Sequence, residues 1–330
     1  MAITESSARV HRSAGSCLSA LDPSLDGMIQ SLRVERVNLP LSIARFTAVM
    51  GCNTPLDAMR RATARSLERY YELSTSAKRI DVGTLCRSMG VEAEGVPIRP
   101  MSCGLQTGGD ISHAYSGILD LSGAIPFITV PPGFDYVKAR ITAAHELGHV
   151  LIHKRASGYD QVTLRLGTTA MEETLAEYAA RLLLIPKNFI DFAALTLSGN
   201  LAVRCIELAE DAGVSIHAAV ARVGDPDVPD VGVRGAILWR VRSRAIESEP
   251  QTLAPYWHLC GATFVPLRRG GVRKNSLVAR LFEDFDGPIS DSDREDVRIG
   301  QLCGCFRVDA FAWGSKKNGA RHVLSIFRYP

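Results

Sequence analysis

No apolar run in this chain approaches the roughly 20 residues needed to cross a bilayer, so no membrane-spanning helix is expected. Secretion is not expected either. The first 27 residues are rich in Ser and Ala and lack the continuous apolar core of a signal peptide. Charge of one sign is also scarce. The 38 basic and 35 acidic side chains leave a net charge of only +3, which gives no general affinity for nucleic acid. From Arg234 onward 16 basic residues face 10 acidic ones, an imbalance mild enough to be a solvated face. Eight cysteines in a chain this long, without a secretion signal, read as reduced thiols rather than a disulfide framework. These absences together describe a soluble, cytoplasmic, globular protein of ordinary composition.

With 330 residues the chain has material for two or three structural units. Residues 1–27 read as a disordered leader and 28–79 as helical, with Thr54-Pro55 opening a helix at "NTPLDAMRRATARSLERYYEL". Asp81 and Gly90 bracket a short helix at 81–89. Between 91 and 130, short β-prone runs such as "SGILDL" and "AIPFITV" predict a small sheet. Asp135 then opens a helix through "YVKARITAAHELGHVLIHK", and a second, "MEETLAEYAARLLL", stops at Ile185-Pro186. Shorter helices fill 187–222. Pro226 and Pro229 mark a linker. Beyond it, "GAILWRVRSRAI", "GATFVPLR", "SLVARLFED", "GCFRVDAFAWG" and "HVLSIFRY" all read as strands. The fold class is α+β.

The helix at 136–153 carries His145-Glu146-Leu147-Gly148-His149. Imidazoles four residues apart lie on one helical face, about 6 Å apart at Cβ, and can converge on one tetrahedral Zn²⁺. Glu146 projects beside the same opening, where a carboxylate can act as a base on water. A catalytic zinc needs a third protein ligand and one open position. A histidine six residues after His149 is ruled out, because Arg155 stands there. The remaining candidates are Glu172, Glu173 and Glu177 on the next helix. Glu173 as ligand, with Glu177 outside it supporting a ligand histidine, suits the need for second carboxylates around metal-bound imidazoles. His113, Tyr115 and Tyr136 are candidates for an oxyanion donor.

Other features are weaker. His153 extends the histidine row but lies too far along the helix to share an ion. His258, Cys260, Cys303 and Cys305 match a zinc spacing poorly. "AEDAGVSIHAAVARVG" has the outline of a helix-turn-helix, yet only Arg222 supplies positive charge to its second helix, so packing is favoured over DNA reading.

Residues 80–222 resemble the ImmA/IrrE family of metallo-endopeptidases. The resemblance rests on "IDVGTLCRSMG", on "RITAAHELGH" at 140–149, and on Glu173, Ala176, Ala179 or Ala180, Leu183 and Pro186 in the following helix. It implies a zincin-like, gluzincin-type core over 80–225 with a helical cap. It places Glu173 on the third zinc-ligand position; the Pro-rich linker, strand-rich composition and excess positive charge beyond it make 233–330 a β-rich sensing or partner-binding domain. The resemblance further implies hydrolysis of a regulatory protein, typically a helix-turn-helix transcriptional repressor, with no membrane and no direct nucleic-acid partner. The alternative is a non-cleaving anti-repressor or sensor with a structural zinc, for which Glu146 would have no use as a base.

Overall fold

The computed structural model describes residues 39–74, 79–95, 117–155, 158–159, 169–191, 195, 199–225, 227–229, 231–241, 253–260, 276–283, 285–299, 302–314 and 321–329. The expected leader, His113, Tyr115 and the "GATFVPLR" segment lie outside these residues.

Helices α1 (Leu41–Val49) and α2 (Pro55–Leu73) precede α3 (Val82–Met89). Local chemistry sets their ends. The Thr54 hydroxyl accepts from the Asp57 amide, with Pro55 at the first helical position. Asp81 caps α3, and Gly90 ends it at φ 71°, a conformation that costs other residues strain. A three-stranded sheet follows, ordered β1 (Glu92–Glu94), β3 (Phe127–Thr129), β2 (Ile118–Asp120). β1 runs parallel to β3 and β2 antiparallel to it, so among the described residues β2 lies at one end of the sheet.

Helix α4 (Tyr136–His153) crosses the core behind this sheet and is buried along nearly its whole length. The hairpin β4 (Lys154–Arg155) and β5 (Gly158–Tyr159) follows it. Helix α5 (Ala170–Leu184) opens with a reciprocal capping box between Thr169 and Glu172. Then come α6 (Leu201–Ala212) and α7 (Ile216–Val223). Residues 216 and 218–223 of α7 are all buried, and the Arg222 guanidinium binds the Ile185 carbonyl and Asp227. No face of α7 is left to enter a DNA groove, so the helix-turn-helix outline is a packing motif.

The C-terminal part is an antiparallel sheet ordered β7 (Leu253–Cys260), β6 (Val233–Val241), β10 (Arg321–Arg328), β9 (Leu302–Gly314), β8 (Ile289–Ile299). One expectation is corrected here. "SLVARLFED" forms a helix, α8 (Leu277–Glu283), instead of a strand. Leu277, Val278 and Leu281 share one stripe and bury it on the sheet, while the Glu295 carboxylate accepts the Leu277 amide at the helix start. The 11-residue strand β8 has no strand-like sequence, because "ISDSDREDVRI" is mostly charged. It is an edge whose carboxylates are used locally, as in the Arg280–Asp293 pair at 2.8 Å. The four-residue His/Cys set is separated: β6 and β10 stand between β7 and β9.

The sheet packs on both faces. One face, with Ile237, Trp239, Val308, Ala310 and Val323, packs under α8. On the other, Ala236, Leu238, Trp313, Leu324 and Ile326 join the same apolar core as α3–α7. Asp309 on β9, fully buried, accepts from the Leu201 amide at the start of α6, from Ser292 and from Arg307, and pairs with Arg328 at 2.6 Å. The Asn200 side-chain amide donates to the carbonyls of Asp291 and Ala310. The expected linker is stapled as well. Asp225 accepts two bonds from Arg181, at 3.1 and 2.9 Å, and Asp227 accepts two from Arg222.

His217 on α7 is partly buried near Arg181; burial, and then the arginine charge, push its pKa down to about 3. A histidine depressed in the folded state contributes stability above its unfolded pKa and loses it as pH falls toward the folded one. Acidification from pH 7 to 5 should therefore cost about 2 kcal/mol through this residue. Urea unfolding of His217→Gln at both pH values should show a flatter dependence than the parent. Equal dependence in the two proteins would contradict the assignment.

Candidate metal centre

Helices α4 and α5 bring three donors together. His145 Nε2 lies 3.1 Å from Glu173 Oε2 and 3.2 Å from His149 Nε2, and His149 Nε2 lies 3.5 Å from Glu173 Oε1. These ligand atoms all fall within 4.8 Å of one another and could hold a metal ion; among the described residues they are the group that does so. The imidazoles meet edge to face, centroids 4.9 Å apart. Both are buried, whereas the Glu173 side chain is 44% exposed and forms the solvent side of the cluster.

Electrostatics suit ligation. Burial pushes the His145 pKa down, against its hydrogen bond to Glu173, and so favours the neutral ring that a metal binds. Burial raises the pKa of Glu146, which His149 partly offsets, while Glu173 adds to the rise. Glu146 is thus a desolvated carboxyl beside the donor set.

The three carboxylates proposed from sequence are distinguished by their surroundings. Glu172 is buried and consumed locally: it accepts the Thr169 amide and the Ser42 hydroxyl. Glu173, one residue on, faces the histidines. Glu177 lies a turn beyond, where burial raises its pKa against the neighbouring Arg181 charge. Among the described residues it makes no hydrogen bond to either imidazole, and the buried Nδ1 of His149 has no hydrogen-bond partner. Tyr136 is not brought to the donors. It starts α4, nine residues and about 14 Å along the axis before His145. Its hydroxyl accepts from Arg140, which also binds the carbonyls of Ile80 and Ala212 and so clamps α4 to α3 and α6.

Two residues that spacing arguments pass over set the geometry. A Cβ on Gly148 would stand 2.7 Å from Ala176 Cα and 2.9 Å from its carbonyl oxygen, so the glycine lets α4 and α5 touch backbone to backbone. Ala176 is one turn after Glu173, so this contact sets how closely Glu173 approaches the histidines. Gly148→Ala should push α5 away, because the obstructing atoms are backbone. The expected result is loss of bound metal, at least tenfold in affinity, measured by competition with a chromogenic chelator. Unchanged affinity would mean that helix spacing does not govern the site. The second residue, Gly117, is taken up below.

Residues 91–223 match the family model described as Peptidase_M78, IrrE N-terminal-like domain. No curated protein matches the chain. Among solved structures, a Mycobacterium tuberculosis transcriptional regulator is similar at 13% identity and a TM-score of 0.43, over 84% of this chain and 82% of that chain.

Proposed function

Since residues 91–223 belong to the ImmA/IrrE family of IrrE N-terminal-like domains, we propose that the protein is a zinc-dependent endopeptidase that cuts a regulatory protein. The observation that carries this reading is the union of a three-donor cluster with a buried base. Tetrahedral zinc with donors about 2.1 Å away spaces them about 3.4 Å apart. The pairs here, at 3.1, 3.2 and 3.5 Å, fit that spacing without rearrangement. Two imidazoles and one carboxylate leave a fourth position open, as hydrolysis requires.

His145, His149 and Glu173 would hold the ion, which when bound supplies a Lewis acid and lowers the pKa of a bound water from about 15.7 toward 7. Glu146 takes a proton from the attacking water and returns it to the leaving amine.

The substrate class we propose, on the family resemblance, is a helix-turn-helix transcriptional repressor. Incubation with zinc and the repressors encoded near its gene, read by intact-protein mass, tests it. Two fragments whose masses sum to the repressor plus one water are expected, and a chelator should abolish them. An intact repressor held in a stable complex would instead favour the non-cleaving anti-repressor.

A further inference from the structure

Gly117 stands immediately before strand β2, against the side chain of Glu146. Its φ is not in the left-handed region, so backbone freedom does not explain a glycine here. Space does. A Cβ at 117 would lie 2.6 Å from Glu146 Oε1, 2.8 Å from Glu146 Cγ and 2.9 Å from Thr142 Cγ2, all closer than the 3.0 Å that real Cβ contacts respect.

Something must yield if that atom is added. Thr142 is fully buried on α4, one turn before Glu146, and its branched Cβ leaves little rotamer freedom. Glu146 has three rotatable bonds and is the group that moves. His149 and Glu173 are close enough for their charges to act on its carboxyl. A displaced Glu146 therefore leaves its place beside the donor set.

We propose that Gly117 is a positioning residue for the hydrolytic reaction: its missing side chain is the slot that keeps Glu146 turned toward His145, His149 and Glu173. This rests on the peptidase reading, with Glu146 as the base. Proton transfer demands close placement, and a shift of about 1 Å can cost about 100-fold in rate.

Gly117→Ala should lower kcat by about 100-fold with KM and metal content unchanged. A second readout needs neither metal nor activity. In the metal-free protein, Gly117→Ala should lower Tm by roughly 3–8 °C through overpacking. In a Glu146→Ala background, where Cγ and Oε1 are gone, that drop should shrink by at least half. If Gly117→Ala alone does not fold, recovery of folding in the double variant has the same meaning. Equal Tm losses in both backgrounds, an unfolded double variant, or metal loss with kcat intact would overturn the proposal. If the parent protein cuts nothing, the peptidase reading fails on its own, while the melting comparison still decides whether Gly117 makes room for Glu146.

Discussion

Glu146→Gln is expected to lower peptide cleavage by about 10²–10⁴-fold while zinc stays bound. Glutamine keeps the size and a hydrogen-bonding oxygen but cannot accept and return a proton, and general-base catalysis contributes that range. Glu146 is also not among the three clustered donors, so its loss removes no ligand. Glu173→Ala should behave oppositely and lose metal and activity together, because only two imidazoles remain. Glu172→Ala should do neither. Its carboxylate caps α5 and binds Ser42, so the expected cost is about 1 kcal/mol of stability. Metal content and single-turnover cleavage of the three variants separate the roles. If Glu172→Ala loses zinc and Glu173→Ala keeps it, the ligand assignment is wrong. If Glu146→Gln cleaves normally, the base is another group.

Truncation after residue 230 is expected to give an insoluble, metal-free fragment. Ala236, Leu238, Trp313, Leu324 and Ile326 are each at most 2% exposed and sit in the core shared with the helices. Removing the four larger of them withdraws on the order of 6–12 kcal/mol of burial, at about 1.5–3 kcal/mol for each side chain. That is comparable to the whole stability of a typical domain, about 5–15 kcal/mol. The Leu201 amide also loses its buried Asp309 acceptor. Expression of residues 1–230, with soluble yield and bound metal measured, decides the matter. A soluble, zinc-loaded fragment would restore the view of 233–330 as a detachable sensing or partner-binding module.

What was legible in the sequence was local. Helix ends at Thr54, Asp81, Gly90, Asp135 and Ile185 could be read because capping and left-handed turns are set by the residue at the cap and its near neighbours. His145, Glu146 and His149 could be read because one helical turn fixes their relation. Charge misled where tertiary packing overrode propensity. β8 is a strand because β9 pairs along its whole length, and α8 is a helix because its apolar stripe found the sheet.

The sequence narrows the third ligand to Glu172, Glu173 and Glu177 on one helix, and the need for a supporting carboxylate, together with the resemblance, favours Glu173. The structure distinguishes it by giving Glu172 the cap and turning Glu173 to the histidines, a rotation of about 100° for one residue. Gly148 and Gly117 were visible as letters but not as causes. A glycine's role in close approach depends on what stands opposite, and Ala176 and Glu146 lie 28 and 29 residues away in the chain. The sequence by itself determined the helix that carries the histidines and base. Only the tertiary structure decided how near a carboxylate comes to them, and that the C-terminal sheet closes the same core, because both depend on backbone distances between elements far apart in sequence.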